Sequence, residues 1–178
     1  MTRIDRVVSL EKVSAFYPVN LRKMREEEIA EAAAIDGRSE FDHWDVYKIH
    51  RSFRARSCVK WVAWSTASMA KGTIDAYLML RLKVGCIEIQ RLCVRRQVRR
   101  RRVGSQILRA ALHELRKGDF RHAAIFAAVH EQNEEGLYFF HKLGFRRVGT
   151  IHGKYPDYGY GPISRDAYWL EQRPKGET

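Results

Sequence analysis

Apolar and polar residues alternate along the chain with two periods, which together predict strands interleaved with helices. Short runs rich in β-branched and aromatic residues indicate strands, and apolar residues that recur every three or four positions indicate helices. Small residues at 67–72 predict a turn between the second and third strands. The predicted strands cover residues 19–24, 58–64, 73–82, 87–94, 123–129, 145–151 and 166–171, and the predicted helices cover residues 25–34, 41–53, 105–117 and 134–143.

Two of these strands have side-chain patterns that predict how they pack. The run at 123–129 is apolar throughout, which is typical of a strand buried on both faces of a sheet. In the strand at 87–94, simple alternation predicts one face with Ile87, Ile89 and then Arg91, and an opposite face with Glu88, Gln90 and Leu92.

The helices have recognisable ends and one clear apolar stripe. Gly118 ends the helix at 105–117, Asn133 caps the next helix, and Gly144 ends it.

The order of strands and helices predicts a mixed α/β or α+β fold around one mixed sheet. The expected organisation is an extension at 1–18, a single domain at 19–171 and a tail at 172–178. The apolar stripe of the helix at 105–117 consists of Ile107, Leu108, Ala111, Leu112 and Leu115.

Length and composition narrow the class of protein. A chain of 178 residues suits one domain. Its longest apolar run has seven residues, far fewer than the ~20 that span a bilayer, and no apolar signal segment follows the N-terminus. Three cysteines without paired spacing fit a reducing cytoplasm, where we expect the protein. The seven histidines lack metal-ligand spacing, so no metal site is predicted.

The charge is strongly positive and unevenly distributed. The net charge is +12, and residues 81–102 contain nine Lys and Arg against one acid, Glu88. Six of these arginines lie within residues 95–102, directly before a predicted helix, whose N-terminus is suited to phosphate. A polyanionic cofactor, a nucleic acid and an acidic partner all remain open on charge alone.

Two segments carry motifs that are specific in combination. Residues 94–105 read Val-Arg-Arg-Gln-Val-Arg-Arg-Arg-Arg-Val-Gly-Ser, and residues 133–145 read Asn-Glu-Glu-Gly-Leu-Tyr-Phe-Phe-His-Lys-Leu-Gly-Phe. The first resembles the acetyl-CoA loop of the GNAT superfamily of acetyltransferases, Val-x-Pro-x-x-(Arg/Gln)-x-x-Gly-x-(Gly/Ala). The second is similar to that family's Asn-x-x-Ala-x-x-x-Tyr-x-x-x-Gly-Phe. Arg96 stands at the proline and Arg102 at the first glycine, whereas Gly104 is kept.

The resemblance implies a fold, a cofactor and a set of binding residues. The fold is a mixed, mostly antiparallel sheet flanked by helices, and the cofactor is acetyl-CoA. The backbone N–H of Val94 would face the thioester, with Leu92 and Cys93 beside it, and Asn133 and Phe140 would border the pantetheine channel. The pyrophosphate would lie against Arg99, Arg100, Arg101, Arg102, Val103, Gly104 and Ser105.

Further segments read Lys154-Tyr155-Pro156, Arg165-Asp166-Ala167, Ala34-Ile35-Asp36, and Phe41 with His43 and Trp44. They resemble one branch of the family, the bacterial ribosomal-protein alanine N-acetyltransferases. The resemblance implies an acceptor that is the N-terminal α-amine of a protein, such as a ribosomal protein.

The acid and base positions of that branch are changed in this chain. The chains of that branch carry Glu or His five residues before the capping Asn, and Tyr seven residues after it. In this chain those two positions are occupied by Ala128 and Phe140. Tyr138 is predicted to face some 200° away from Phe140, at ~100° per helical residue. Glu88 is the best remaining candidate for the catalytic base. An ordinary surface role on the strand, paired with neighbouring arginines, explains this glutamate equally well. Tyr155 is the candidate proton donor, with Tyr158 near it in sequence.

Two other functions remain open at this stage. The acceptor could be a small-molecule amine, although a net charge of +12 would repel a cationic one. Alternatively, the chain could be a weakly catalytic module that binds RNA or the ribosome through its arginine-rich surface.

Overall fold

The computed structural model describes residues 17–37, 41–65, 73–155 and 164–174. Within these ranges, no helix is long and apolar enough to cross a membrane. Short 3-10 turns, Glu26–Glu28 and Arg96–Val98, precede the first and third helices. The strands are β1 Val19–Lys23, β2 Cys58–Ser65, β3 Ala76–Lys83, β4 Cys86–Val94, β5 Ala124–His130, β6 Arg146–Ile151 and β7 Ala167–Gln172, and the helices are α1 Ile29–Asp36, α2 Val46–Arg54, α3 Val103–Leu115 and α4 Glu134–Lys142.

Every predicted strand and helix is found, with differences at the ends. The helix predicted at 41–53 begins only at Val46, because the Asp45 side chain accepts from the Lys48 N–H (2.7 Å) and caps it there. The helix predicted at 105–117 begins two residues earlier, at Val103. Gln172, predicted as the first residue of the tail, is instead the last residue of β7. The predicted turn at 67–72 and residues 1–16 of the predicted extension lie outside the described residues.

The strands form one sheet in the order β1-β2-β3-β4-β5-β7-β6. The β4–β5 pair is parallel, and the other neighbours in this order pair antiparallel. This confirms the mixed, mostly antiparallel sheet.

Each face of the sheet has its own apolar core. On one side, which we call the α3 face, α3 residues such as Ile107 pack with Leu80, Ile87 and Ile125. On the other side, the α1–α2 face, buried residues of α1 and α2 pack with Val62, Tyr77, Met79 and Cys93. The helices therefore enclose the sheet from both sides, as the fold class requires.

A β-bulge at Gln90 reverses the side-chain alternation of β4. Met79 pairs with Arg91 and Leu80 pairs with Ile89, so Gln90 is an extra residue between them. The predicted faces of β4 are therefore wrong beyond the bulge. Arg91 lies on the α1–α2 face, and Leu92 packs against the α3-face core that contains Ile89. Simple alternation fails because one inserted residue changes the face of every later side chain.

The prediction that β5 is buried on both faces is also wrong. Ile125, Ala127 and Val129 are buried in the α3-face core, but the intervening Phe126 and Ala128 are only partly buried. The Phe126 ring stacks on Trp169 of β7 (centroids 5.2 Å apart), and neither ring belongs to a helix-covered core cluster. We call Phe126, Ala128 and Trp169 the open strip of the α1–α2 face.

Strands β4 and β5 separate after a short paired section. Cys86–Ile89 pair with Ala124–Ala127, and beyond that point both strands continue without pairing to each other. The result is a wedge between the two strands, which we call the β4–β5 split. Its closed end lies at Ile89 and Ala127, and its open end lies toward Val94 and His130.

Replacing Ile107 by Ala should lower the free energy of unfolding by about 3 kcal/mol, because the deletion leaves a cavity in the α3-face core. Ile107 is fully buried in that core. Urea denaturation followed by circular dichroism measures the change. Val84→Ala is the control, since Val84 is fully exposed, and it should change stability by less than about 0.5 kcal/mol. Equal losses in the two variants would contradict this packing.

Candidate active site

The loop between β4 and α3 ends at a helix N-terminus suited to an anion. Arg102 is the N-cap residue of α3, and within the described residues no side chain caps this end. The amides of Val103, Gly104 and Ser105 have no partner within the helix, as in the first turn of any α-helix. The first turn also contains no acid. Free amides and the positive end of the helix dipole favour a bound phosphate here.

Gly104 brings the start of α3 close to its neighbours. A Cβ at this position would lie 3.3 Å from Val94 Cγ2 and 3.4 Å from Phe139 Cε2. The absence of a side chain therefore lets α3 begin directly beside the β4–β5 split. This explains why the second glycine of the motif is the one that this chain keeps.

Two arginines of the loop adopt a left-handed backbone. Arg100 and Arg102 both have φ of +61°, a conformation that costs a residue with a side chain about 1–2 kcal/mol. Arg102 stands where the family pattern has its first glycine. The backbone conformation that favours glycine is thus retained, and an arginine occupies it at a cost in stability.

The loop arginines point in different directions. Arg95 turns away from the helix N-terminus: its Nη2 donates to Glu31 Oε1 (2.7 Å) and to the Ile74 carbonyl (2.8 Å). Arg100 donates to Glu135 Oε1 (2.7 Å) at the start of α4. That hydrogen bond and the positive charge of Arg100 lower the pKa of Glu135. Arg95 therefore stabilises the fold, and Arg100 remains near the proposed phosphate site.

The backbone N–H of Val94 points into the β4–β5 split. Arg95 N–H donates to the Asp75 carbonyl (2.7 Å) on the β3 side of the strand. Because successive N–H groups of a strand point to opposite edges, the Val94 N–H faces β5. Pairing with β5 has already ended at Ile89 and Ala127, so this donor has no ladder partner on β5. Such a donor fits the role that the family resemblance implies for Val94.

The other two predicted residues of β4 lie on opposite faces. Leu92 packs against the α3-face core, whereas Cys93 is buried in the α1–α2 face. Burial, followed by the nearby Asp36 carboxylate, raises the pKa of Cys93 to about 11. The thiol is therefore protonated at neutral pH. Only the backbone of Cys93 borders the split, since its sulfur is buried on the α1–α2 face.

The predicted residues of α4 have clear positions. Asn133 caps the helix, since its Oδ1 accepts from the Gly136 N–H (2.9 Å). Phe140 is 8% exposed and packs edge-on against Phe139 and Phe145, whereas Tyr138 is 64% exposed. The prediction that Tyr138 faces away from Phe140 is confirmed. Phe140 lies inside the core, and its neighbour Phe139 is the ring that contacts the start of α3.

Glu88 lies at the closed end of the split. It pairs with Phe126 across the parallel ladder, one residue before the last paired position. Its side chain is 16% exposed, and Oε2 is 2.7 Å from Lys83 Nζ. The carboxylate is thus paired with a lysine on the same face as the open strip.

Tyr155 reaches the middle of β5 from the segment after β6. Its hydroxyl donates to the Ala128 carbonyl (3.4 Å), beside the position where relatives carry their acid or base. Two hydrogen bonds with Arg165 hold its backbone, each 3.0 Å long. Burial and then the nearby Asp42 carboxylate raise the pKa of Tyr155 to about 12. The phenol therefore keeps its proton at physiological pH.

His130 links Tyr155 to the loop before α2. Its ring stacks on Phe41 (4.6 Å between centroids) and lies 4.9 Å from the Tyr155 ring. Nδ1 accepts from the Gln132 N–H (3.1 Å), so Nε2 carries the proton and donates to the Ser164 carbonyl (2.7 Å). With both nitrogens occupied, His130 forms the wall of the site and is not a free base.

Sequence reasoning did not single out His130, Arg91 or Asp42. A signal existed for His130, because it lies two residues after Ala128 and must share its face in a strand. The position of Arg91 had no local signal, since it follows from the bulge. Asp42 was passed over in a segment that was predicted to be helical.

Comparison with protein families decides the assignment. A family model described as "Acetyltransferase (GNAT) family" matches residues 21–145. The chain belongs to the GNAT family. It is therefore an N-acetyltransferase that uses acetyl-CoA, as the sequence motifs implied. No curated protein sequence matches the chain.

Solved N-acetyltransferases share the fold. The ribosomal-protein-S18-alanine N-acetyltransferase from Escherichia coli is 14% identical, with a TM-score of 0.70 over 90% of this chain and 99% of that chain. Arabidopsis thaliana NAA60 in complex with acetyl-CoA is 13% identical, with a TM-score of 0.74 over 89% of this chain and 99% of that chain. Arabidopsis thaliana Naa50 in complex with the bisubstrate analogue CoA-Ac-MVNAL is 19% identical, with a TM-score of 0.68 over 88% of this chain and 99% of that chain. At these identities the likeness concerns the fold.

The residues present fit acetyl-CoA. The uncapped α3 N-terminus and the arginines before it suit the pyrophosphate. The close approach at Gly104 joins that site to the split, and the Val94 N–H suits a thioester carbonyl.

We expect Arg102→Gly to be more stable than Arg102→Ala by about 1 kcal/mol, because glycine adopts the left-handed backbone without strain. Both variants lose the guanidinium, so both should bind acetyl-CoA about tenfold more weakly than the native chain. Thermal unfolding and isothermal titration calorimetry measure the two effects. Arg109→Ala, on the exposed side of α3, is the control and should bind normally. An Ala variant at least as stable as the Gly variant would argue against strain at this position.

Proposed function

We propose that this N-acetyltransferase transfers acetyl to the N-terminal α-amine of a protein, such as a ribosomal protein. The observation that carries the proposal is the β4–β5 split. It opens on one side toward the cofactor loop at Gly104 and on the other toward the open strip, which is bordered by Phe41 and Tyr155. An extended peptide end could reach the split along that strip. The likeness to a ribosomal-protein-S18-alanine N-acetyltransferase adds support.

The chemistry requires a neutral amine and a stabilised oxyanion. When bound, acetyl-CoA supplies the acetyl thioester and a thiolate leaving group. An α-amine has a pKa of about 8 and a lysine about 10.4, so an α-amine needs less help to lose its proton. The Val94 N–H would donate to the thioester oxygen as negative charge develops on it.

Glu88 and Tyr155 would divide the proton transfers between them. Glu88, on the face of the open strip, would take a proton from the incoming ammonium, directly or through water. Tyr155, whose raised pKa keeps it protonated, would donate a hydrogen bond to the departing sulfur. These assignments suit a chain that carries Ala128 and Phe140 at the acid and base positions of its relatives.

Acetyl-CoA turnover with a panel of short peptides tests the choice of acceptor. Peptides that begin with Ala, Ser, Met or Gly and have a free α-amine should be acetylated, with the same peptides blocked at the N-terminus and carrying an internal lysine as controls. A preference for the lysine peptides would contradict the proposal. Salt-dependent RNA binding without CoA release from any peptide would support the RNA-binding alternative instead.

The pH dependence separates the roles of Glu88 and Tyr155. Glu88→Gln should lower kcat by about 10²-fold at pH 7, and the loss should shrink above pH ~9, where the α-amine deprotonates without a base. Tyr155→Phe should lower kcat by a similar factor at every pH up to about 11, since the Tyr155 pKa of about 12 leaves the phenol protonated throughout.

Glu134→Gln is the control for these variants, because Glu134 is exposed at the start of α4. It should leave the pH profile unchanged. A Glu88→Gln enzyme with normal turnover at pH 7 would remove Glu88 from the mechanism. A Tyr155→Phe loss that disappears at high pH would contradict the donor role.

A further inference from the structure

An ion pair between a fully buried aspartate and a mostly buried arginine joins the end of α1 to β4. The Asp36 carboxylate, 0% exposed, accepts from Arg91 Nε and Nη2, both at 2.6 Å. The Tyr77 hydroxyl also donates to Asp36. Burial alone would lower the pKa of Arg91, but the hydrogen bonds and attraction from Asp36 outweigh it and raise that pKa. Burial and the Asp36 charge likewise raise the pKa of Tyr77, so the phenol stays protonated.

The same two residues hold the segment 41–45, which we call the acceptor loop. Arg91 Nη2 donates to the Asp42 carbonyl (2.6 Å), and Asp36 Oδ1 accepts from the Trp44 N–H (2.7 Å). The Trp44 indole in turn donates to Asp42 Oδ2 (3.1 Å). At its end, the Asp45 carbonyl accepts the first hydrogen bond of α2, from the Ile49 N–H (3.0 Å). Ahead of that residue, the mostly buried Arg91 and the fully buried Asp36 hold the backbone at Asp42 and Trp44.

The acceptor loop forms part of the wall around the open end of the split. Phe41 stacks on His130, the last residue of β5, and the Asp42 carboxylate lies close enough to Tyr155 to contribute to its raised pKa. A shift of this loop would therefore move the Phe41 ring and the Asp42 charge relative to Tyr155.

We propose that Arg91, paired with Asp36, is a positioning residue that fixes the acceptor loop against His130 and Tyr155 and thereby sets the affinity for the acceptor amine. The inference rests on the proposed function for its substrate. The Arg91 guanidinium lies on the α1–α2 face, among Asp36, Asp42 and Trp44. Its charge also acts on the pKa of Tyr155, against the larger effects of burial and of Asp42. Its effect should therefore appear in acceptor binding and leave cofactor binding unchanged.

The chain offers a matched control in a second arginine–carboxylate pair. Arg22 of β1 donates to both carboxylate oxygens of Glu28 (2.8 and 2.5 Å), just before α1. This pair also joins the sheet to the α1 region and is partly buried. Its further hydrogen bonds go to the Lys23 carbonyl and the Arg25 N–H, which lie outside the acceptor loop. Arg22→Met should therefore reproduce a general loss of stability without a change at the site.

The experiment compares Arg91→Met, Arg91→Lys and Arg22→Met in the full chain, below the unfolding temperature of each. For Arg91→Met, the peptide KM should rise at least about tenfold, while acetyl-CoA affinity by calorimetry changes less than about twofold. Hydrogen exchange at the Trp44 amide should accelerate by about tenfold or more, with the amides of β3 unchanged. Arg91→Lys should recover part of both effects, because it keeps the charge but loses the two-pronged geometry.

Several results would overturn the proposal. One is an acceptor KM in Arg91→Met that changes no more than in Arg22→Met. Another is unchanged exchange at Trp44. If Arg91→Met does not fold because Asp36 is left unpaired, the double variant Asp36→Asn, Arg91→Met removes both charges and is measured in its place. If no peptide is acetylated by the native chain, the proposed function fails, and the exchange data alone decide whether Arg91 holds the loop.

Discussion

The inserted residue in β4 is the constraint on which the rest of the site depends. By occupying one extra position, Gln90 shifts the register between Met79 and Leu80, and it coincides with the end of β4–β5 pairing at Ile89. The strands then diverge, and the Val94 N–H faces an open wedge. The same shift turns Arg91 toward Asp36, where it holds the acceptor loop. A single backbone irregularity thus accompanies the open wedge at Val94 and places Arg91 against the acceptor loop.

The positive charge that marks the sequence is divided between two roles. Some of it stabilises the fold: Arg91 and Arg95 are paired internally with Asp36 and Glu31. Another part surrounds the N-terminus of α3, where unpaired amides already favour phosphate. Arg100 lies between these roles, since it is two residues before the N-cap of α3 and pairs with Glu135 at the start of α4. A charge run in a sequence therefore indicates a candidate phosphate site but not how many of its arginines lie at that site rather than in internal ion pairs.

Local patterns were sufficient to predict every strand and helix in the described chain, because burial on a strand or helix repeats at a local period. The motif loop and the cap at Asn133 were predictable for the same reason. The bulge at Gln90 was not, since it depends on register with β3, which is distant in sequence. The half-open face of β5 was also missed, because an apolar run looks the same whether or not a helix covers it. His130, Arg91 and Asp42 come together only through contacts between residues distant in sequence, so the motif residues alone did not reveal them.

The central claim is that the cofactor's reactive end lies in the β4–β5 split, next to the N-terminus of α3. Titration of ¹⁵N-labelled protein with acetyl-CoA, followed by two-dimensional NMR, tests it most directly. If acetyl-CoA binds there, the largest amide shifts should occur at Val94, Gly104 and Ser105, and the amide of the buried α2 residue Ile49 should not shift. Saturable binding that leaves Val94 and Gly104 unshifted, with the changes gathered around Arg109 on the outer side of α3, would contradict it.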